Sequence, residues 1–121
     1  MSNVKIAIPT KGDKGLEDSI SEVFGRSEKF TIIEVVNGPI VTIVKVETVE
    51  NPAASYKHGA GPIVVKMLTD MGVTAVAARE FGLGVSTLLE QNGIKKFNVK
   101  ADITVKEAVQ KILEELSESV Q

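Results

Sequence analysis

Residue types that could do chemistry gather in three short stretches. The most informative is His58-Gly59-Ala60-Gly61-Pro62, which leads into an apolar run of helical spacing. Two glycines allow close backbone approach. A helix N-terminus presents free N–H groups and a partial positive charge, so an anionic ligand could rest there. His58 would then act as a donor or a metal ligand. The same spacing also suits a flexible loop whose glycines merely turn the chain. Phe24-Gly25-Arg26 is the second stretch, where Arg26 could pair with an anion or with a surface carboxylate. The third, Arg79-Glu80-Phe81-Gly82-Leu83-Gly84, opens a helix after a strand, a place where open α/β sheets tend to bind ligands. Gly82-x-Gly84 is too short for a dinucleotide fingerprint, which argues against NAD.

These stretches need elements to position them. Val4–Ile8 reads as a short buried strand stopped by Pro9, and Thr10–Glu28 as loop with one helical turn around Asp18–Val23. Phe30–Val36 and Ile40–Val49 flank Asn37-Gly38, a strong hairpin signal. Pro62 suits a first helical turn. Ile63, Met67, Leu68 and Met71 follow at helical spacing, with Gly72 as cap. Val73–Ala78 reads as a strand, Gly84–Gln91 as a helix capped by Gly93, and Ile94–Val99 as the last strand. Thr104 and Glu107 form a capping box before a stripe from Val105 to Leu116. Glu114, Glu115 and Glu118 oppose that helix's dipole, so the tail after about residue 117 is expected to fray.

The order β-β-β-α-β-α-β-α implies an α/β fold: a five-stranded mixed sheet flanked by helices, of the ribonuclease H-like kind. Strand one, apolar on both faces, belongs at its centre. With 121 residues, 43% of them apolar, and no linker or repeat, one domain over 1–121 is expected. Lys45 and Glu47 on the hairpin strand read as protection of a sheet edge and favour a monomer.

Much chemistry is excluded. The absence of cysteine removes disulfides, thiolate catalysis and self-supplied thiolate ligation of iron–sulfur clusters. A net charge of −2 with scattered basic residues argues against nucleic acid. No apolar stretch resembles a signal peptide or membrane span, so a cytoplasmic location is expected. Strand one lacks the carboxylate that a two-metal nuclease needs, and no P-loop, nucleophile elbow or zinc-protease motif occurs. The single histidine rules out a multi-histidine metal site within one chain. Glu17-Asp18 and Glu114-Glu115 read as solvated faces. An acid–base pair of Glu80 and His58 would require both near one substrate atom, and a non-enzymatic protein is the expectation.

Several fragments occur together in a telling order: Val4-Lys5-Ile6-Ala7-Ile8-Pro9, then Phe24-Gly25-Arg26-Ser27 with Phe30. After them come Glu50-Asn51-Pro52-Ala53-Ala54 with Gly59-Ala60-Gly61, then Gly72-Val73, Gly82 and Gly93-Ile94. Across nearly its whole length the chain resembles the dinitrogenase iron–molybdenum cofactor biosynthesis family, the small NifX-like domains. Val23 stands where members often carry a His, and Leu83 where Pro is usual. The resemblance implies a binding or carrier protein for an iron–molybdenum or iron–sulfur cluster or precursor, exchanged with a cluster donor or acceptor protein. Such a cluster would be held transiently without cysteine, with His58 as metal ligand. The expected site comprises Gly25, Arg26, His58, Gly59, Gly61, Arg79, Glu80 and Gly82. The alternative is a cofactor-free module that docks on a protein through the long Asn51–Gly61 loop.

Overall fold

A computed structural model describes residues 2–37, 40–100 and 102–119, with side chains described for 3–36, 40–100 and 102–115. Five strands form one mixed sheet: β1 (Ser2–Thr10), β2 (Lys29–Asn37), β3 (Thr42–Glu50), β4 (Ala75–Ala78) and β5 (Lys95–Asn98). Their order across the sheet is β3-β2-β1-β4-β5. β1 pairs antiparallel with β2 and parallel with β4, β2 pairs antiparallel with β3, and β4 pairs parallel with β5. The alternating strand–helix half thus supplies the parallel ladders and the hairpin half the antiparallel ones. β1 lies at the centre, as its two apolar faces require.

Those two faces carry separate cores. Ala7, Phe30, Ile32, Val76 and Ala78 pack beneath helices α1 (Ala60–Asp70) and α2 (Leu83–Gln91), which contribute Val64, Val65, Leu68 and Leu89. Ile6, Ile8, Ile33, Val35, Ala75 and Ala77 pack against helix α3 (Val105–Ser119) through Val105, Ala108, Val109 and Ile112. Adjacent residues of a strand point to opposite faces, so the strands are apolar without interruption where both faces are covered. The Leu116 side chain lies outside the described residues, as do Gly38, where a hairpin turn is expected, and Pro39.

Local chemistry moves several boundaries from where the sequence places them. β1 does not stop at Pro9 but runs on to Thr10, pairing Pro9 with Phe30 of β2. The Pro9 carbonyl accepts from the Ser21 N–H on the side away from β2. A residue's N–H and C=O share one side of a strand, so the missing proline N–H costs no bond to β2. The helical turn expected around Asp18–Val23 lies instead at Gly15–Glu17, as a 3-10 turn. Asp18 ends it: its carboxylate accepts N–H bonds from Gly12 at 3.1 Å, Lys14 at 3.2 Å and Ser19 at 2.8 Å. Asp18 is therefore only 4% exposed, not part of the solvated pair that its sequence neighbour suggests. β4 starts at Ala75 rather than Val73, because the Val73 N–H is used in closing α1 onto the Leu68 carbonyl.

Candidate functional site

The site begins with aromatic packing. Phe24, buried at the end of the loop between β1 and β2, meets Phe30 of β2 edge-on, with ring centroids 5.3 Å apart. Phe81, buried just after β4, lies 5.2 Å from Phe24 on another side. Three of the chain's four phenylalanines thus anchor two loops over one end of the α1–α2 face. Each buried ring leaves its neighbours at the surface: Gly25 and Arg26 after the first, Glu80 and Gly82 around the second.

A buried amide ties the third segment to the first. Asn51 donates from Nδ2 to the carbonyls of Gly25 at 3.0 Å and Ser27 at 2.8 Å, while its Oδ1 accepts the Ala53 N–H at 2.9 Å. The Asn51 N–H also donates to the Glu28 carbonyl. Asn51 therefore fixes the Gly25–Ser27 loop against the start of the chain leading to α1. The chain then turns through Ala53, wholly buried, to the exposed Lys57-His58-Gly59.

The result is an open cleft of about 360 Å³. Its floor holds Phe24, Ala60, Phe81 and Val85, and its rim Glu22, Arg26, Lys57, His58 and Glu80, all exposed. Val23, Gly25, Gly59, Gly61 and Gly82 complete the lining. Seven of the eight residues picked from the sequence thus border one cavity. Arg79 alone does not: it faces Glu22, with Nη1 3.9 Å from Oε1, beside a small neighbouring hollow that includes Lys11 and Asp102. Glu22, Lys57 and Val85 border the cleft without having been singled out. Lys57 adjoins His58 in sequence. Nothing in the spacing of Glu22 and Val85 announces their contribution, which depends on how the loop and α2 pack.

Two helices open onto this cleft without side-chain caps. The N-cap of α1 is Gly59, with φ 76°, and that of α2 is Gly82, with φ 70°; neither helix has a side-chain capping bond. Side chains rarely adopt this left-handed region, which explains glycine at both positions. A Cβ at either position would meet nothing within 4 Å. At Gly61 the reason for glycine differs: a Cβ there would lie 2.9 Å from Val85 Cγ2, so α1 and α2 approach too closely for a larger residue.

Chemically, the cleft offers free N–H groups at two positive dipole ends, a guanidinium, an ammonium, an imidazole and two carboxylates. Among the described residues, no three His, Asp or Glu side chains gather to hold a metal ion. No hydrogen bond joins His58 to Glu80 among these residues. Nor is any helix of the described residues long and apolar enough to cross a membrane.

Known proteins share this architecture. An uncharacterized protein of Methanocaldococcus jannaschii is 33% identical over 112 residues, or 92% of this chain and 86% of that one. The solved structure of a putative NifB protein from Thermotoga superposes with a TM-score of 0.71 at 33% identity, covering 92% of this chain and 88% of its own. The apo form of the orange protein from Desulfovibrio gigas superposes with a TM-score of 0.76 at 28% identity, covering 92% and 88%. The sequence family described as dinitrogenase iron–molybdenum cofactor matches residues 3–115, which span all of the sheet but Ser2 and most of α3. The chain belongs to the dinitrogenase iron–molybdenum cofactor family.

Proposed function

We propose that the protein is a non-enzymatic carrier whose cargo is an iron–molybdenum or iron–sulfur cluster, or a precursor of one, seated in the cleft at the N-termini of α1 and α2. The observation that carries this reading is the convergence of two uncapped helix N-termini with Arg26, Lys57 and His58 on one open cavity. Metal–sulfur clusters are commonly anionic, and unsatisfied N–H groups and cationic side chains provide for such a charge. His58 and Glu80 supply a nitrogen and an oxygen ligand at the rim. Gly25, Gly59, Gly61 and Gly82 let the backbone approach the cargo closely. Arg79 acts one step away, by holding Glu22.

The donor set matches transient holding. With no cysteine in the chain and no methionine lining the cleft, every protein bond to the cluster would be to nitrogen or oxygen, which suits soft metal–sulfur centres poorly. A cluster so held can be passed on, and a donor or acceptor protein is the implied partner. A purely protein-docking role has one observation in its favour: exposed Val23 on the cleft wall, with exposed Tyr56 and Leu83 next to lining residues. The same apolar rim serves a carrier that must meet its partner at the mouth of the site.

The test is anaerobic titration of the pure protein with iron–molybdenum cofactor or its iron–sulfur precursor, followed by gel filtration and metal analysis. Metal should co-elute at a fixed ratio, and His58→Ala with Arg26→Ala should abolish it. A metal-free peak in the unaltered protein would overturn the carrier reading, and recovery of one stoichiometric partner by that metal-free protein would favour docking alone.

A further inference from the structure

β3 forms one edge of the sheet, and its outer side has no strand partner among the described residues. Its first five residues are exposed. Of the eight large apolar residues exposed among the described residues, five lie at its start or just before it: Ile40, Val41, Ile43, Val44 and Val46. An exposed edge of nine residues with apolar side chains is a template for pairing with another chain. Natural edges are usually blunted by charge. Of the three charges on β3, Glu50 ends the strand, while Lys45 and Glu47, of opposite sign, flank Val46 and so share one face.

We infer that this edge seats a second copy of the chain, by antiparallel pairing of β3 with β3 about a two-fold axis through Val46. Such an axis is isologous, so each contact occurs twice. It sets Lys45 opposite the partner's Glu47 and Val46 opposite its own copy. Opposite charges directly across a strand pair stabilise it, and like charges weaken it. The choice of axis is narrow. An axis through Lys45 or Glu47 would set that charge against its own copy, and one through Val44 would fall on the extra residue of the register shift. Within one chain Lys45 Nζ already lies 3.6 Å from Glu47 Oε2, both side chains well exposed, so the pair needs little rearrangement to reach across. From Lys45 to Glu50 the pairing with β2 runs unbroken, and the register shift falls between Lys45 and Ile43, leaving Val44 as the extra residue. The straight segment includes the proposed axis. This contradicts the monomer expected from the same two charges: the pattern protects against a strand of other sequence while matching its own.

Sedimentation equilibrium of the cargo-free chain tests the pairing. The protein should show a concentration-dependent mass approaching twice 12.9 kDa. Lys45→Glu and Glu47→Lys should each raise the dissociation constant by about tenfold or more, since two attractive pairs become repulsive. The double variant, which restores opposite charges across the axis, should recover the dimer. A mass of 12.9 kDa at every concentration would overturn the inference. So would single variants that dimerise unchanged, or a double variant as dissociated as the singles. None of these residues borders the cleft, so cargo uptake should stay unchanged in all three variants and the carrier reading is tested separately.

Discussion

The N-terminus of α3 and those of α1 and α2 solve the same problem in opposite ways. Every helix begins with N–H groups that lack partners. At α3 they are met from within: Thr104 Oγ1 accepts from the Glu107 N–H at 3.2 Å, and Glu107 Oε1 accepts from the Thr104 N–H at 3.1 Å. The Asp18 carbonyl takes the Val105 N–H as well. At α1 and α2 the caps are glycines without a side-chain acceptor, and both ends face the same cavity. A chain that can write a capping box at one helix omits it at the two that share a cleft. In the proposed carrier, the cargo supplies the acceptor that those two ends lack.

Two buried polar residues sharpen the contrast. Asp18 directs all three of its carboxylate contacts into its own loop, closing it beneath α3. Asn51 divides its contacts between two segments that both reach the cleft wall. Asp18→Ala should thus have the largest effect on stability, about 3 kcal/mol by urea unfolding, because three backbone donors lose their acceptor. Its cargo uptake per folded molecule should match the unaltered protein. Asn51→Ala should cost less, about 2 kcal/mol, yet lower cargo retention in gel filtration by about tenfold, as loss of an orienting neighbour does at metal sites. Equal retention in both variants would mean that Asn51 does not position the cleft wall.

Smaller effects refine it. Thr104→Ala removes a cap and should cost about 1 kcal/mol, with no change in metal retained. Arg79→Ala should give the smallest shift, within about 0.5 kcal/mol in unfolding, because its ion pair with Glu22 is long and exposed. Retention in that variant should fall less than in Arg26→Ala. The reverse order would place the cargo in the hollow beside Lys11 and Asp102 rather than in the main cleft.

The sheet was legible because its signals are periodic and local. An uninterrupted apolar β1, the hairpin pattern, and alternating strands and helices leave few arrangements, and the observed one follows from crossovers of one hand. The stripe and capping box of α3 were readable for the same reason. What escaped the sequence depends on contacts between distant residues. Asp18 looks like half of an exposed acidic pair until the backbone of Gly12 and Lys14 folds round it. Pro9 looks like a stop until Ser21 is seen to sit on its outer side. Around the cleft, glycines and a lone histidine marked their segments, whereas Glu22 and Val85 reach it only through packing. Arg79 was grouped with them by sequence proximity to Glu80, but neighbouring residues after a strand turn to different sides.

Amide-resolved NMR during anaerobic addition of paramagnetic iron–sulfur precursor will show whether cargo sits at the uncapped ends of α1 and α2. The backbone amides of Gly25, Gly59 to Gly61 and Gly82 to Val85 should broaden first and saturate together, while those of Thr104 to Glu107 stay sharp. Broadening that spares the cleft, or that spreads evenly over the capped end of α3, would contradict that placement.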